Sequence, residues 1–379
     1  MKKRLAIETL LQGPHGPAQL RAFLAGRRFP IVEGNSVTFV FYGQADAVHL
    51  RHWIYGLETA TALHRVQGTD LWHLTLEIPP RSRVEYKYEL HRGGGSVWIE
   101  DPLNPNRARD PFGANSVLQS DGYEAPAWSV ADPISRPGTL EDFTLDSASL
   151  GRRRGLVYLP ARFRRTRQYP LIVVHDGSDY LKYSGMKAVL DNLIHRLEIP
   201  DVVVAFTDSP ARLQEYANDA RHARYLTEEL VPHLAGRFPL VDRPSARCLM
   251  GASFGAVAAM STAHRYPGFW GRLLLQSGSF AFTDIGKSNR RGPLFDRVVE
   301  FVNEYRAEPT HLSERVFMSC GVYESLIYEN RSMVPLLTAT GMDVKFVEAR
   351  DGHNWENWRD RLREGLSWLF PGPLKFVYE

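Results

Sequence analysis

From residue 37 the apolar residues recur at every second position. Val37, Phe39 and Phe41 flank Thr38 and Val40. Trp72, Leu74, Leu76 and Ile78, then Val84, Tyr86, Tyr88 and Leu90, alternate with mostly polar neighbours. A period of two marks strands with one face buried. Gly56, Gly68, Pro79-Pro80 and Gly93-Gly94-Gly95 punctuate these runs as turns do. Several short strands at close spacing predict a small all-β sandwich of immunoglobulin-like form over residues 29–125. Ahead of it, Leu20, Phe23 and Leu24 fall at helical spacing, so residues 1–28 read as a helical lead-in. Asp101-Pro and Asp110-Pro are turns, because proline cannot sit in a central strand. The Pro-rich stretch 126–138 reads as a linker.

Beyond residue 138 the period changes. Thr139–Asp146 and Gly155–Leu159 read as strands at a sheet edge. Leu171-Ile-Val-Val, Val202-Val-Val-Ala-Phe, Cys248-Leu-Met, Leu273-Leu-Leu, Val316-Phe-Met and Val344-Lys-Phe-Val are short, nearly continuous apolar runs. That is the pattern of parallel strands covered on both faces. Helical patterns at Met186–Leu197 and Tyr225–Leu234 lie between them. Alternation of this kind predicts an α/β domain with a mostly parallel central sheet over residues 139–379.

Composition narrows the function classes. The chain has 379 residues, 44% hydrophobic and 23% charged. These are globular values, which exclude a disordered, collagenous or coiled-coil chain. A net charge of +3 lacks the clustered basic excess of a nucleic-acid binder. Cys248 and Cys320 have no disulfide or zinc spacing and read as small buried hydrophobes. The N-terminal MKKRLAIETLLQGPHG starts basic, but Glu8 and Thr9 break its apolar stretch and no cleavage site follows. Other apolar runs fall far short of the ~20 residues of a membrane helix. The expectation is a soluble cytoplasmic protein without a membrane partner. No HExxH, P-loop or GxGxxG motif appears, so no metal or cofactor is expected.

One motif carries chemistry. Gly251-Ala-Ser253-Phe-Gly255 matches G-x-S-x-G. It follows an apolar strand and precedes a helical, small-residue stretch, the strand–turn–helix context in which a serine hydroxyl is exposed at the end of a sheet. Ser253 is the expected nucleophile. Such a serine needs a base, and in this fold the order is serine, acid, histidine. Among the downstream histidines, His264 lies three turns along the helix and His311 in a loop before a strand. His353, in Asp351-Gly-His-Asn-Trp directly after the last strand, sits where α/β sheets place their functional loops, and is the expected base. The acid should follow the preceding strand: Glu324, with Glu329 and Asp343 as rivals. Two backbone N–H groups must face the developing oxyanion. Phe254, after the nucleophile, supplies one. Ser178, after Leu171–His175 and the permissive Gly177, is expected to supply the other.

These residues carry a resemblance. His175-Asp-Gly-Ser-Asp-Tyr180, Arg212-Leu-Gln-Glu-Tyr216, Glu229-Leu-Val-Pro232, Gly251–Gly255, Gln276-Ser-Gly-Ser-Phe280 and Gly352-His-Asn-Trp355 occur in order. The catalytic half resembles the esterase D-like branch of the α/β-hydrolases. The whole chain resembles the enterochelin (enterobactin) esterase group. The N-terminal part is similar to that group's early-set immunoglobulin-like domain, through Val37-Thr-Phe, Gly68–Trp72, Tyr86-Lys-Tyr and Asp101-Pro-Leu-Asn-Pro105. The resemblance implies a cytoplasmic serine esterase that opens the ester bonds of a ferric catecholate siderophore, with Tyr180, Arg212 and Trp355 as candidates for substrate contact. The chain departs from the group's pattern in using Glu for the acid, and Asp351-Gly-His353 where relatives often carry Gly-Gly-His. The same layout resembles feruloyl and acetyl-xylan esterases, and a non-catalytic glycan-binding protein with a relic hydrolase is the alternative from another class. Trp53, Trp72 and Trp98 read as core or interface residues before a sugar platform. Arg152-Arg-Arg154 and the run Arg162–Arg167 read as solvated before a steering patch for an anionic ligand.

Overall fold

A computed structural model describes residues 4–282 and 293–373. The chain divides into two compact units. The first runs to Glu124 and includes Val322–Glu324 and Arg350–Gly352; the second comprises Ala125–Gly321, Ser325–Ala349 and the chain from His353.

The first unit opens with helices α1 (Ala6–Leu11) and α2 (Pro17–Leu24). Ten strands follow: β1 (Ile31–Glu33), β2 (Ser36–Tyr42), β3 (Ala47–His52), β4 (Ala60–Ala62), β5 (His64–Arg65), β6 (Leu71–Glu77), β7 (Arg83–Arg92), β8 (Gly95–Ile99), β9 (Arg107–Asp110) and β10 (Gly113–Gln119). They form two antiparallel sheets. One has the order β1-β2-β6-β5; the other is β4-β3-β7-β10-β9, with β8 also on β7. The period-two residues explain why these sheets pack. Val37, Phe39 and Phe41 from one sheet share a single core with Val48, Leu50, Tyr86, Tyr88 and Leu90 from the other. Trp72 is buried there, whereas Trp53 and Trp98 are about half exposed.

In the second unit an eight-stranded sheet has the order β11-β12-β14-β13-β15-β16-β17-β18. Its strands are β11 (Thr139–Ser147), β12 (Gly151–Leu159), β13 (Leu171–His175), β14 (Val203–Thr207), β15 (Arg247–Ala252), β16 (Arg272–Gln276), β17 (Arg315–Gly321) and β18 (Asp343–Ala349). β11, β12 and β14 pair antiparallel; the pairs from β14 through β13 to β18 are parallel. The continuous apolar runs are continuous because both faces are covered. Leu171, Val173 and Leu249 join one cluster, and Ile172, Val174, Cys248 and Met250 join the other. The helices are α3 (Gly177–Tyr183), α4 (Met186–His195), α5 (Arg212–Tyr216), α6 (Ala220–Arg224), α7 (Val231–Arg237), α8 (Phe254–Arg265), α9 (Pro293–Ala307), α10 (Ile327–Ala339) and α11 (Trp355–Leu369). None among the described residues is long and apolar enough to cross a membrane.

Three details differ from expectation. The helix expected over Tyr225–Leu234 is a π-helical turn, Tyr225–Leu230, running into α7. Pro232 lacks the N–H that an unbroken α-helix would use there. The stretch expected as a linker is fastened down: Trp128 is buried, and the Asn192 side chain donates to the carbonyls of Trp128 and Val130 at 2.8 and 2.7 Å. Within the Arg152–Arg154 run, Arg153 is buried against Glu215 at 2.5 Å rather than solvated.

Candidate active site

Ser253 stands between the end of β15 and the start of α8, with φ 58° and ψ −120°. A side chain at positive φ is strained, and the neighbours show why the turn must be this tight. A Cβ on Gly251 would lie 2.4 Å from the backbone of Gly255, and one on Gly255 would lie 3.2 Å from the His175 Cβ. The first approach admits only glycine, and the second is crowded for any larger residue. The Ser253 N–H donates to the Gln276 carbonyl at 2.9 Å, and its own carbonyl accepts from Ser279 N–H at 3.2 Å. Its hydroxyl meets the Ser279 hydroxyl at 3.1 Å. Phe254 is the first residue of α8, where an N–H has no intrahelical acceptor.

The loop after β16 is a polar hub that periodicity does not reveal. Gln276 is fully buried. It accepts from the Tyr180 hydroxyl at 2.7 Å and donates to the Trp358 carbonyl at 2.9 Å. Trp358 Nε1 donates to Ser277 Oγ at 2.9 Å, and Asn330 exchanges two hydrogen bonds with the Gly278 backbone. The one signal of this hub in the sequence is a glutamine closing the apolar run Leu273-Leu-Leu.

A second polar layer lies behind the elbow. His175, at the end of β13, is completely buried between the Met250 carbonyl (2.9 Å from Nδ1) and His222 (3.1 Å between the Nε2 atoms). Burial, with the His222 ring beside it, pushes its pKa down to about 3, so it is neutral at ordinary pH. The next residue, Asp176, adopts a left-handed conformation at the N-cap of α3. The Arg212 guanidinium grips the Asp176 carboxylate in two bonds of 2.8 and 2.7 Å, and the Asp176 backbone N–H donates to the Tyr216 hydroxyl at 3.2 Å. Gly177 is required next, because a Cβ there would lie 2.5 Å from Phe206.

The structure places the expected site residues as follows. Ser178 follows Gly177 in α3, and both its N–H and its hydroxyl donate to Asp208, at 3.1 and 2.9 Å. Burial raises the Asp208 pKa, and these two bonds oppose the rise. Glu324, beyond the end of β17, is 3% exposed. His353, beyond the end of β18, is exposed and packs edge-to-face on Trp358 at 5.0 Å. Asp343 begins β18, at the opposite end of the strand from His353, and pairs with Arg315 at 3.4 Å. Glu329 is buried in the first turn of α10. His264 bonds Thr310, and His311 bonds the Thr340 carbonyl. Trp355 is half-buried among Tyr180, Tyr183 and Trp358.

Tyr180 has no exposed surface and its hydroxyl donates to Gln276, which places it within the hub. Arg212 spends its Nε and Nη2 donors on the Asp176 turn.

Comparison with known proteins agrees with this geometry. Residues 147–369 match the family described as "Putative esterase". The iron(III) enterobactin esterase of Dickeya dadantii is 26% identical over 352 residues, covering 82% of this chain and 79% of its own. The enzyme of that name from Escherichia coli O6:H1 is 24% identical, covering 80% of each. Among solved structures, the Shigella flexneri enterobactin esterase, determined in the presence of enterobactin, superposes with a TM-score of 0.73 at 21% identity, covering 92% of this chain and 97% of that one. A family match across most of the second unit, elbow included, means that the chain belongs to this esterase family and is a carboxylic ester hydrolase.

Proposed function

We propose that the protein is a serine esterase acting through an acyl-enzyme on the ester bonds of a catecholate siderophore of the enterobactin trilactone type. The observation that carries the serine chemistry is Ser253 held at φ 58° between Gly251 and Gly255. The substrate class rests on relatives named as iron(III) enterobactin esterases along most of the chain.

In this reading Ser253 Oγ attacks the ester carbonyl while His353 takes the hydroxyl proton. Glu324 accepts the other imidazole N–H, fixes the tautomer and stabilises the imidazolium. The N–H groups of Phe254 and Ser178 hold the tetrahedral oxyanion. Ser178 must then exchange its bond to Asp208 for one to the substrate. His353 returns the proton to the leaving serine alkoxide, and a water activated by the same imidazole cleaves the acyl-enzyme. Iron belongs to the substrate and takes no part in these steps. The β-sandwich of the first unit is taken as the immunoglobulin-like domain of this esterase group, and the cytoplasm as the place of action.

The test is a side-by-side kcat/KM on ferric enterobactin, p-nitrophenyl acetate and methyl ferulate, with Ser253→Ala as control. The reading expects a preference of several orders of magnitude for the siderophore and none of that turnover in Ser253→Ala. A folded Ser253→Ala enzyme with wild-type rates removes the nucleophile assignment. A preference for methyl ferulate moves the substrate to the carbohydrate esterases.

A further inference from the structure

The outward face of the second sheet in the β-sandwich carries a cluster unrelated to ester chemistry. His49 on β3 stands directly opposite Glu89 on β7, and His91 lies two residues further along β7. Side chains two apart on a strand share a face, so the three project together. The His49 and His91 rings sit 5.0 Å apart, edge to face. His91 Nε2 is 3.6 Å from Glu89 Oε1. One ligating atom from each residue can be chosen so that all lie within 4.8 Å of one another.

Two further observations point to a ligand. His49 Nδ1 is buried and has no hydrogen-bond partner. A polar atom left unpaired away from water costs free energy, and a bound ion is one of the few things that recovers it. The Glu89 oxygens are also divided in role. Arg51 bonds Oε2 alone, through Nε at 2.6 Å and Nη2 at 2.5 Å, with its guanidinium lying 4.9 Å over the Trp98 ring. Oε1 is the oxygen on the His91 side.

We propose that His49, Glu89 and His91 form a binding site for one first-row divalent transition-metal ion. Two imidazoles and one carboxylate suit Zn2+ and its neighbours in the series and are poor hosts for Mg2+ or Ca2+, which take oxygen ligands. Metal–ligand bonds of about 2.0–2.2 Å put neighbouring ligand atoms roughly 3.4 Å apart, so modest side-chain rotations close the cluster around an ion. Ala47, the residue opposite His91, is small. The remaining coordination positions face solvent and are filled by water.

The test uses the full chain, purified without a polyhistidine tag and stripped with chelator. Zn2+ is titrated against a chromophoric competitor, and Co2+ is followed by its visible d–d absorption, which reports ligand type and number. The expected result is one tight Zn2+ per chain. His49→Ala and His91→Ala should each weaken it by more than the ~10–100-fold that loss of a mere outer partner costs. Glu89→Gln should shift the Co2+ spectrum. His64→Ala, which disrupts the other imidazole pair of this sandwich (His64–His73, 5.9 Å between rings), should change neither. Esterase rates and circular dichroism confirm that each variant is folded. A wild-type protein that binds Zn2+ no better than the His49→Ala/His91→Ala double variant overturns the site. So does tight binding that survives the double substitution or is lost in His64→Ala.

Discussion

Replacing Arg83 tests how the segment before His353 is held. The Arg83 side chain is 0% exposed, and it is the cation for two carboxylates, Glu85 at 2.8 Å and Asp351 at 3.2 Å. Its backbone N–H also donates to the Arg350 carbonyl at 2.9 Å. Arg83→Met keeps the bulk and removes the charge, leaving the buried Asp351 and the half-buried Glu85 without it. Breaking a buried pair in this way costs about 3–5 kcal/mol. Here the lower end applies, because Asn115 still donates to Glu85 at 2.7 Å and the Gly352 N–H still donates to Asp351 at 2.7 Å. The expected loss is about 3 kcal/mol, read from urea unfolding followed by tryptophan fluorescence. Asp351 lies two residues before His353, the proposed base, so the second readout is kinetic. An active-site shift of about 1 Å can cost ~10²-fold in rate, so kcat should fall while KM holds. Arg83→Lys should restore little, since a lysine cannot serve two carboxylates with a fixed fork. Asp351→Asn in the same background closes a double-mutant cycle, and a coupling of about 0.5–3 kcal/mol is expected between contacting residues. Loss of under ~1 kcal/mol in Arg83→Met, with kcat unchanged, would refute the clamp.

Three further predictions follow from the hub and the layer behind the elbow. Tyr180→Phe strips one hydroxyl from Gln276 and should destabilise by about 1–3 kcal/mol with KM unmoved; a raised KM would return Tyr180 to the substrate site. Gly251→Ala drives a Cβ to 2.4 Å from the Gly255 backbone, so esterase turnover should collapse even where circular dichroism reports a folded chain, and an active variant would show that the elbow yields. The His175 pKa is pushed from 6.5 down to about 3 by burial, so the unfolded chain takes up a proton below pH 6.5 that the folded chain refuses. Its contribution is present above pH 6.5 and is lost as pH falls, by about 2 kcal/mol between pH 7 and pH 5. His175→Asn should flatten that part of the stability profile, and identical profiles would count against a neutral buried His175.

The fold was legible where one physical rule decides a segment. Alternation at Val37–Phe41 and Val84–Leu90 is what a half-buried antiparallel strand requires, and both segments are strands of the sandwich. Leu171–Val174 and Leu273–Leu275 are apolar on both faces because clusters cover both. Legibility failed where tertiary partners override composition. The stretch 126–138 has the Pro content of a linker, yet Asn192 reaches it from α4, 54 or more residues along the chain. Arg153 sits in a run of three arginines, and only the fold brings Glu215 to it. The His49–Glu89–His91 cluster follows the same logic. Its ligands come from strands 40 residues apart, so no spacing motif announces them.

The elbow was legible for the opposite reason, because its constraints are local. A left-handed φ is free for glycine and costs about 1–3 kcal/mol for a residue carrying a Cβ. A turn selected for stability alone would therefore place glycine at position 253. This chain places glycine at 251, where a side chain would collide, and at 255, where one would be crowded, and a serine at the strained position between them. Within residues 251–255 the positive φ falls on the one residue proposed as the nucleophile, and its hydrogen bonds with Gln276 and Ser279 hold it there. Gln276 could not be foreseen in that role. Its partners Tyr180 and Trp358 lie 96 and 82 residues away in the chain, and a buried amide becomes interpretable only once those partners are known.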